Sequence, residues 1–540
     1  MKNSAIIFML SMVITVATGF AQTTVTSDSQ PTMSMEEAQM KLDRFLQLVD
    51  SKYLDEVDPG KLVDQAINEM LTQLDPHSVY FTAEELEEAN EPLEGNFEGI
   101  GVQFNLLKDT IIVVNTISGG PSEKVGIMSG DKIIVIDGEN VAGVDIKNSG
   151  VTDRLRGKKG TKVTVEILRK GFSKPLEFII TRDVIPLYSV DATYMLEPET
   201  GYIRVSKFAA TTVEEFRTSV AELKVEGMKN LVLDLRGNGG GYLNAAIDMA
   251  DEFLGSGKLI VYTDGRAYPR QDAYATSYGK MEEGKVIILI DESSASASEI
   301  VSGALQDWDR ALIIGRRSFG KGLVQRPYNL TDGSAIRLTV SRYYTPSGRS
   351  IQKPYDEGVE AYHKELDERY KAGEMTAEHL KEFPDSLKYY TNAKRVVYGG
   401  GGIMPDIYVP VDTTWYTEFY LDILRKSIHN QFSLTYVNDH REELSAAYPD
   451  PFQFLKKFQV SEELWQELFD YAATEEVVYN QEQFTTCKDK LDLLLRSTIA
   501  RNLYDFEAFW IIYNSEDEAV NKALEAVHDD TFRKMNIAVK

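Results

Sequence analysis

The sequence predicts a multidomain α/β chain, with a β-rich domain ahead of an α/β sheet and mainly helical segments at both ends. Three observations predict it. Strands alternate with helical stretches across residues 183–412, the pattern of an α/β sheet. Short β-type runs crowd residues 93–182, with Asp137-Gly138 as a hairpin turn signal. Helical periodicity rich in aromatics dominates 413–540. A chain of 540 residues leaves room for several domains.

Composition removes whole classes of function. Charged residues at 26% and hydrophobic ones at 43% exclude a mostly disordered chain, a collagen-like fibre and a multi-span membrane protein. A net charge of −26 repels phosphate backbones, so no nucleic-acid partner is expected. The single cysteine, Cys487, allows neither an internal disulfide nor a Cys-based zinc cluster. The six histidines form no HxxH or HExxH pair, so no metal or haem site is expected.

The elements follow in order. Lys2, an apolar run over 5–17 and the small residues Gly19 and Ala21 read as a cleaved signal peptide over 1–21. The run is short for a membrane span. Left uncleaved, it would keep the protein membrane-associated. No cysteine follows it, which excludes a lipoprotein. An exported chain with one cysteine fits a periplasm better than the eukaryotic exterior. Residues 22–92 read as a Ser/Thr/Gln-rich linker and then a small helical region, with Leu42, Phe45, Leu46 and Val49 at helical spacing. Asp75-Pro76 breaks that pattern, and Thr82-Ala-Glu-Glu is a capping box that starts another helix. Clear strands in the α/β domain are 201–205, 231–235, 286–290, 311–314 and 335–341. The charged, Tyr-rich stretch 353–395 reads as a surface insertion. In 413–540 the aromatics are most simply core, with a docking surface as the alternative.

Four stretches carry chemistry. In Val286-Ile-Ile-Leu-Ile-Asp-Glu-Ser-Ser-Ala-Ser-Ala-Ser-Glu299 a buried-type strand meets small residues and then a helix opening. That turn presents a side chain among outward-pointing amides, as serine nucleophiles require. A Ser-rich helix cap without chemistry is the plainer alternative, and composition alone does not choose among Ser293, Ser294, Ser296 and Ser298. Second, Lys321 stands between Gly320 and Gly322, with Gln325 at +4, on the same face if the segment is a strand. No histidine lies between His77 and His363, so a neutral lysine is the base candidate for a serine hydroxyl. A lysine paired with a carboxylate is its alternative. Third, Leu231-Val-Leu-Asp-Leu-Arg-Gly-Asn-Gly-Gly-Gly-Tyr242 runs a strand into a Gly-rich loop. Its amides suit phosphate or an oxyanion, but GxxxxGK[ST] and GxGxxG are both absent. Fourth, Phe97-Glu-Gly-Ile-Gly-Val-Gln-Phe104 is a glycine loop entering a strand, suited to capturing a terminal carboxylate. An ordinary β-bulge explains it equally well.

Together these stretches resemble the carboxyl-terminal (tail-specific) processing proteases, the S41 family of PDZ-containing serine proteases. The motifs stand in family order. Glu98-Gly-Ile-Gly101, Gly126-Ile-Met-Ser-Gly-Asp131 and Arg156-Gly-Lys-Lys-Gly160 match the PDZ domain. Asp234-Leu-Arg-Gly-Asn-Gly-Gly240, Ser294-Ala-Ser-Ala-Ser-Glu299 and Phe319-Gly-Lys-Gly-Leu-Val-Gln325 match the protease core, and Leu74-Asp-Pro-His-Ser78 the segment before the PDZ domain. The resemblance covers roughly 35–412 outside the insertion. It implies a PDZ domain (93–182) and an S41 core (183–412); the 353–395 insertion and the helical extension (413–540) depart from the family's minimal pattern. The family's serine precedes its lysine by 25 residues, which selects Ser296 as nucleophile. Lys321 then matches the general base and Gln325 its orienting partner. The amide of Ala297, with one from Gly239 or Gly240, matches the oxyanion hole. Gly99, Ile100, Gly101 and Val102 match the carboxylate loop, and Arg156 a link between the PDZ domain and the core. The implied function is an exported serine endopeptidase that reads apolar C-terminal tails of protein or peptide substrates and needs no cofactor. A PDZ scaffold with an inactive core is the rival, as is nucleotide binding by the Gly-rich loop. A homo-oligomer or an adaptor protein stays open as partner.

Overall fold

The computed structural model describes residues 33–539 apart from 108, 118, 278 and 377–383; the predicted signal peptide lies outside the described residues. The chain divides into two compact units, Met1–Ile67 and Asn68–Lys540. In the first, helix Met35–Lys52 opens with a capping box between Ser34 and Glu37. Its apolar residues Met40, Leu42 and Phe45 are exposed.

The second unit is a multidomain α/β structure. Its centre is a six-stranded sheet ordered 190–197, 200–205, 230–234, 286–290, 312–315, 407–408. The first pair is antiparallel and the rest are parallel. Strands 286–290 and 312–315 are apolar and buried at every position because both faces are covered. Leu231, Leu233, Ile288, Ile290 and Ile313 face one core, with the helices Thr212–Val225, Leu243–Asp251 and Ala297–Asp307. The alternate residues Val232, Ile287, Leu289, Leu312 and Ile314 face another core, built with the C-terminal helices. There Phe454, Trp465 and Phe484 are buried, so these aromatics of the extension are core.

A second, five-stranded sheet joins Val79–Phe81, Ala335–Tyr344, Leu259–Asp264 and Gln271–Tyr274, with Leu323–Asn329 also paired to Ala335–Tyr344. Val79–Phe81 lies inside the stretch read as helical and is instead a strand, antiparallel to Ala335–Tyr344. Asp75 makes the turn that delivers it. Its carboxylate accepts the N–H groups of His77 (2.8 Å) and Ser78 (2.9 Å) and the Thr339 hydroxyl (3.0 Å).

The β-rich domain is a sheet ordered 102–107, 110–116, 132–136, 162–168, 176–181. Helix Asn148–Leu155 packs on it through Val151 and Leu155. Strand Val102–Leu107 is the sheet's edge and, among the described residues, pairs only with Thr110–Thr116.

The stretch 353–395 is not a mere surface insertion. In helix Val359–Lys371, Tyr362 and Arg369 are 2% and 5% exposed. Lys353 and Arg369 bury because each meets a carboxylate partner. Lys353 bonds Glu365 at 3.0 Å, and Glu374 takes both Arg317 and Arg369.

Deleting 413–540 would bare the Val232/Ile287/Leu289 face of the central sheet and leave Arg236 without Asp517. The truncated protein is expected to aggregate and to lose its cooperative melting transition. A soluble, monomeric and active truncation, seen by light scattering and peptide cleavage, would contradict this.

Candidate active site

Strand Val286–Ile290 is buried throughout and ends in Asp291. Asp291 folds the following loop by accepting the N–H groups of Ser293 and Ser294, both at 3.1 Å. The serines then separate. Ser294 is buried and its hydroxyl donates to the Leu235 carbonyl at 2.8 Å. Ser298 is buried and its hydroxyl donates to the Asn238 carbonyl at 2.8 Å. Ser293 is exposed. Ser296 alone takes the strained position at the mouth of helix Ala297–Asp307, with φ 54° and ψ −110°. A non-glycine residue persists there only when its surroundings enforce it. Gly240 is part of that enforcement: a Cβ on it would lie 2.8 Å from the Ser296 Cβ.

The Gly-rich loop lies against this elbow. Asn238 is buried; its Nδ2 donates to the Val205 carbonyl at 2.8 Å, and its Oδ1 accepts the Gly240 N–H at 2.9 Å. Gly240 therefore packs, with its amide engaged. Among the described residues the amides of Gly239 and Ala297 have no acceptor. The loop's root is Asp234, fully buried, bonded to Tyr202 (2.7 Å), Arg204 (3.2 Å) and Arg236 (2.7 Å). Burial pushes its carboxyl up, and the two guanidiniums outweigh that and hold it at about 2.

Lys321 lies just ahead of strand Leu323–Asn329, which carries Gln325, with a register shift between Val324 and Gln325. The +4 spacing is therefore not a plain strand period, yet the pair meets: Lys321 Nζ donates to Gln325 Oε1 at 3.0 Å. The amide's orientation is fixed, because Gln325 Nε2 donates to the His77 carbonyl, which can only accept. Among the described residues no carboxylate forms an ion pair with Lys321. Burial lowers its pKa, the Arg337 charge lowers it further, and Asp75 and Glu299 oppose them.

Two groups tie the lysine loop to the serine elbow. Glu299, fully buried, accepts the N–H groups of Ser296 (2.8 Å), Gly320 (2.7 Å) and Lys321 (2.9 Å) and the Ser318 hydroxyl (2.5 Å). Burial pushes its carboxyl up to about 7, against the pull of those donors. The Tyr343 hydroxyl sits between the carbonyls of Ser296, at 3.1 Å, and Lys321. His77 is the histidine that sequence reasoning left outside the core. Its ring bonds the Tyr362 hydroxyl at 2.8 Å, and burial, then the Lys321 charge, lowers its pKa to about 4. The S-x-x-E spacing of Ser296 and Glu299 was a usable signal for Glu299. His77 acts on Gln325 through a backbone carbonyl, which no side-chain pattern announces.

In the β-rich domain Ile100 is buried, and its carbonyl accepts both the N–H (3.1 Å) and the hydroxyl (2.7 Å) of Ser122. Gly101 has φ 71°, and a Cβ there would come within 2.9 Å of Ile185. Gly99 ends the strand Asn96–Gly99 and Val102 opens the edge strand. A small cleft of about 140 Å³ lies beside the loop, lined by Phe97, Ile100, Val102, Phe104, Leu155 and Arg156. Arg156 stacks on Phe97 at 4.8 Å and pairs with Glu91 of helix Ala83–Glu94. On the same helix Asn90 accepts from Arg337 at 3.3 Å, on the strand beside Gln325.

A partly exposed serine on a strained strand-to-helix elbow, beside a Gly-rich loop and a buried lysine, defines the class: a serine-type peptidase. Residues 199–361 match peptidase family S41, and 99–180 match the PDZ domain. Residues 4–85 match the activating protease CtpB N-terminal domain, and 419–505 a family of unknown function, DUF8443. A carboxy-terminal-processing protease of Bartonella bacilliformis is 39% identical over 336 residues, covering 61% of this chain and 76% of that one. The carboxy-terminal processing protease CtpB of Bacillus subtilis is 35% identical over 332 residues, covering 61% and 68%. Among solved structures, a photosystem II D1 C-terminal processing protease aligns at 25% identity over 68% of this chain and 88% of its own, with a TM-score of 0.34. The chain belongs to the S41 carboxy-terminal processing proteases.

Replacing Glu299 by Gln would set an NH₂ group against donors that need an acceptor. Glu299→Gln is expected to cost about 3 kcal/mol or more, since hydrogen bonds to a buried charge are worth ~1.5–3 kcal/mol each. Urea denaturation and peptide cleavage check it. Unchanged stability and rate would remove Glu299 from its organising place.

Proposed function

We propose that this protein is an exported endopeptidase that reads the C-terminal tails of protein substrates with its PDZ domain and cleaves by a Ser-Lys dyad. The observation that carries the proposal is Lys321, mostly buried, its Nζ directed by a fixed amide oxygen, on a loop tied to the Ser296 elbow by Glu299 and Tyr343. Neutral Lys321 takes the Ser296 proton as Oγ attacks the scissile carbonyl. The amides of Ala297 and Gly239 hold the oxyanion. The lysine then protonates the leaving amine, and an acyl-enzyme remains on Ser296. Water, deprotonated by Lys321, hydrolyses it. Gln325 keeps Nζ aimed. Export is supported by the apolar start at 5–17, and a periplasmic destination by the single cysteine.

Ser296→Ala and Lys321→Ala are each expected to lower kcat by roughly four to six orders of magnitude, because the pair acts as a unit. Ser294→Ala loses a backbone anchor and keeps substantial activity. Gln325→Ala costs less than either dyad change. The lysine works only when neutral, so the rate rises with pH through one ionisation below the usual lysine value of about 10.4. Arg337→Gln removes a charge that lowers that pKa and moves the midpoint to higher pH. A fully active Ser296→Ala enzyme, or a midpoint indifferent to Arg337, would sink the assignment.

The carboxylate loop offers amides at Ile100 and Gly101 that have no acceptor among the described residues. Amidating the C-terminus of an apolar-tailed peptide is therefore expected to weaken binding about tenfold or more, the worth of a charge-assisted hydrogen bond. Equal affinity for acid and amide, measured by calorimetry, would mean this domain does not read tails.

A further inference from the structure

We propose that the C-terminal helical extension completes the tail-binding groove: a second cleft between it and the PDZ domain receives the residues four and five positions before the substrate's C-terminus, where Arg501 selects an acidic side chain. This rests on the tail-reading function proposed above and extends it.

The geometry is continuous along the edge strand. A peptide that adds to Val102–Leu107 pairs residue for residue, antiparallel, with the strand's free side. If its last residue lies against Val102, the residues four and five before it lie against Leu106 and Leu107. Over that length the peptide advances about 17 Å, at ~3.4 Å per residue. The 140 Å³ cleft at the carboxylate end is lined by Phe104 and by Thr152 on helix Asn148–Leu155. Phe104 also lines the second cleft, of about 640 Å³, whose floor continues through Leu106, Leu107 and Asn148. Asn148 lies one helical turn before Thr152, so both walls of the groove run on from one cleft to the next.

The far wall is not PDZ. It comes from Asn430, Gln431 and Leu434 on helix Ile428–Ala447 and from Arg501 on helix Gln481–Leu503. These helices are anchored to the PDZ domain. Leu434 is buried with Ile112 and Val114 of the strand next to the edge. Lys170 donates to the Asp439 carbonyl at 3.2 Å.

The charge of this cleft opposes that of the chain. The protein carries −26, yet among the described residues no Asp or Glu lines the cleft, while Lys147 and Arg501 do. Lys147 already pairs with Asp145. Arg501 is half-buried and donates to the Asn430 side-chain oxygen at 3.0 Å, and among the described residues no carboxylate pairs with it. A half-buried guanidinium with only a neutral partner has donors to spare for a carboxylate. The apolar floor accepts the carbon chain of the same residue.

The test uses the full chain carrying Ser296→Ala and fluorescein-labelled peptides read by anisotropy. One peptide is a four-residue apolar tail, as free acid and as amide. Two are nine-residue tails with the same ending and either Asp or Lys at the fourth and fifth positions before the end. The Asp tail is expected to bind about tenfold more tightly than the Lys tail, as a charge-assisted contact would give. Adding Arg501→Gln should close that gap to about twofold and leave the four-residue acid unchanged; Arg501→Lys should keep part of it. Equal binding of Asp and Lys tails to the chain with Arg501 intact overturns the inference, and this comparison decides even if Arg501→Gln lowers the melting temperature. A four-residue acid that binds no better than its amide overturns the tail-reading function itself, and the second cleft with it.

Discussion

The arrangement of the candidate site depends on one buried carboxylate. Glu299 gathers the N–H of the serine, the N–H of the lysine and two further donors from the lysine loop. Sequence separates Ser296 from Lys321 by a whole helix and a strand. A carboxyl that accepts four donors at their meeting point converts that separation into a fixed relation. Each donor it accepts is a backbone or hydroxyl group that burial would otherwise leave unsatisfied, so the same contacts that place the residues also make the loop foldable.

Around that point the structure is layered. The Gly-rich loop is held from below by Asp234 between two arginines, and the Gln325 amide bonded to Lys321 is held from the side by the His77 carbonyl. His77 in turn bonds Tyr362, which belongs to the 353–395 segment, and Lys353 of that segment lies 4.1 Å over the Phe319 ring in the lysine loop. The segment thus buttresses the Lys321 loop rather than ornamenting the surface.

Much of this was legible in the residues. The alternation of strands and helices gave the sheet, and the Gly-Lys-Gly run pointed to an unusual lysine. Four serines in one stretch could not be told apart by composition. What separates them is where each hydroxyl goes: Ser294 and Ser298 bond backbone carbonyls, and Ser296 sits at positive φ. The 353–395 segment looked solvated because Lys353, Glu365, Arg369 and Glu374 are charged, and a sequence does not say which charges will find one another. Val79–Phe81 was hidden by brevity: three residues carry no period, and their strand is set by a partner at Arg337, Ile336 and Ala335 far along the chain.

The contact between Arg236 and Asp517 has a bearing on timing. Arg236 leads the Gly-rich loop, and Asp517, which also caps helix Glu518–His528, stands close to the last residue. A chain made from its N-terminus presents Ser296, Lys321 and the Gly-rich loop long before that partner arrives. The ion pair on the Arg236 side of the loop therefore forms only after the residues around Asp517 have been made.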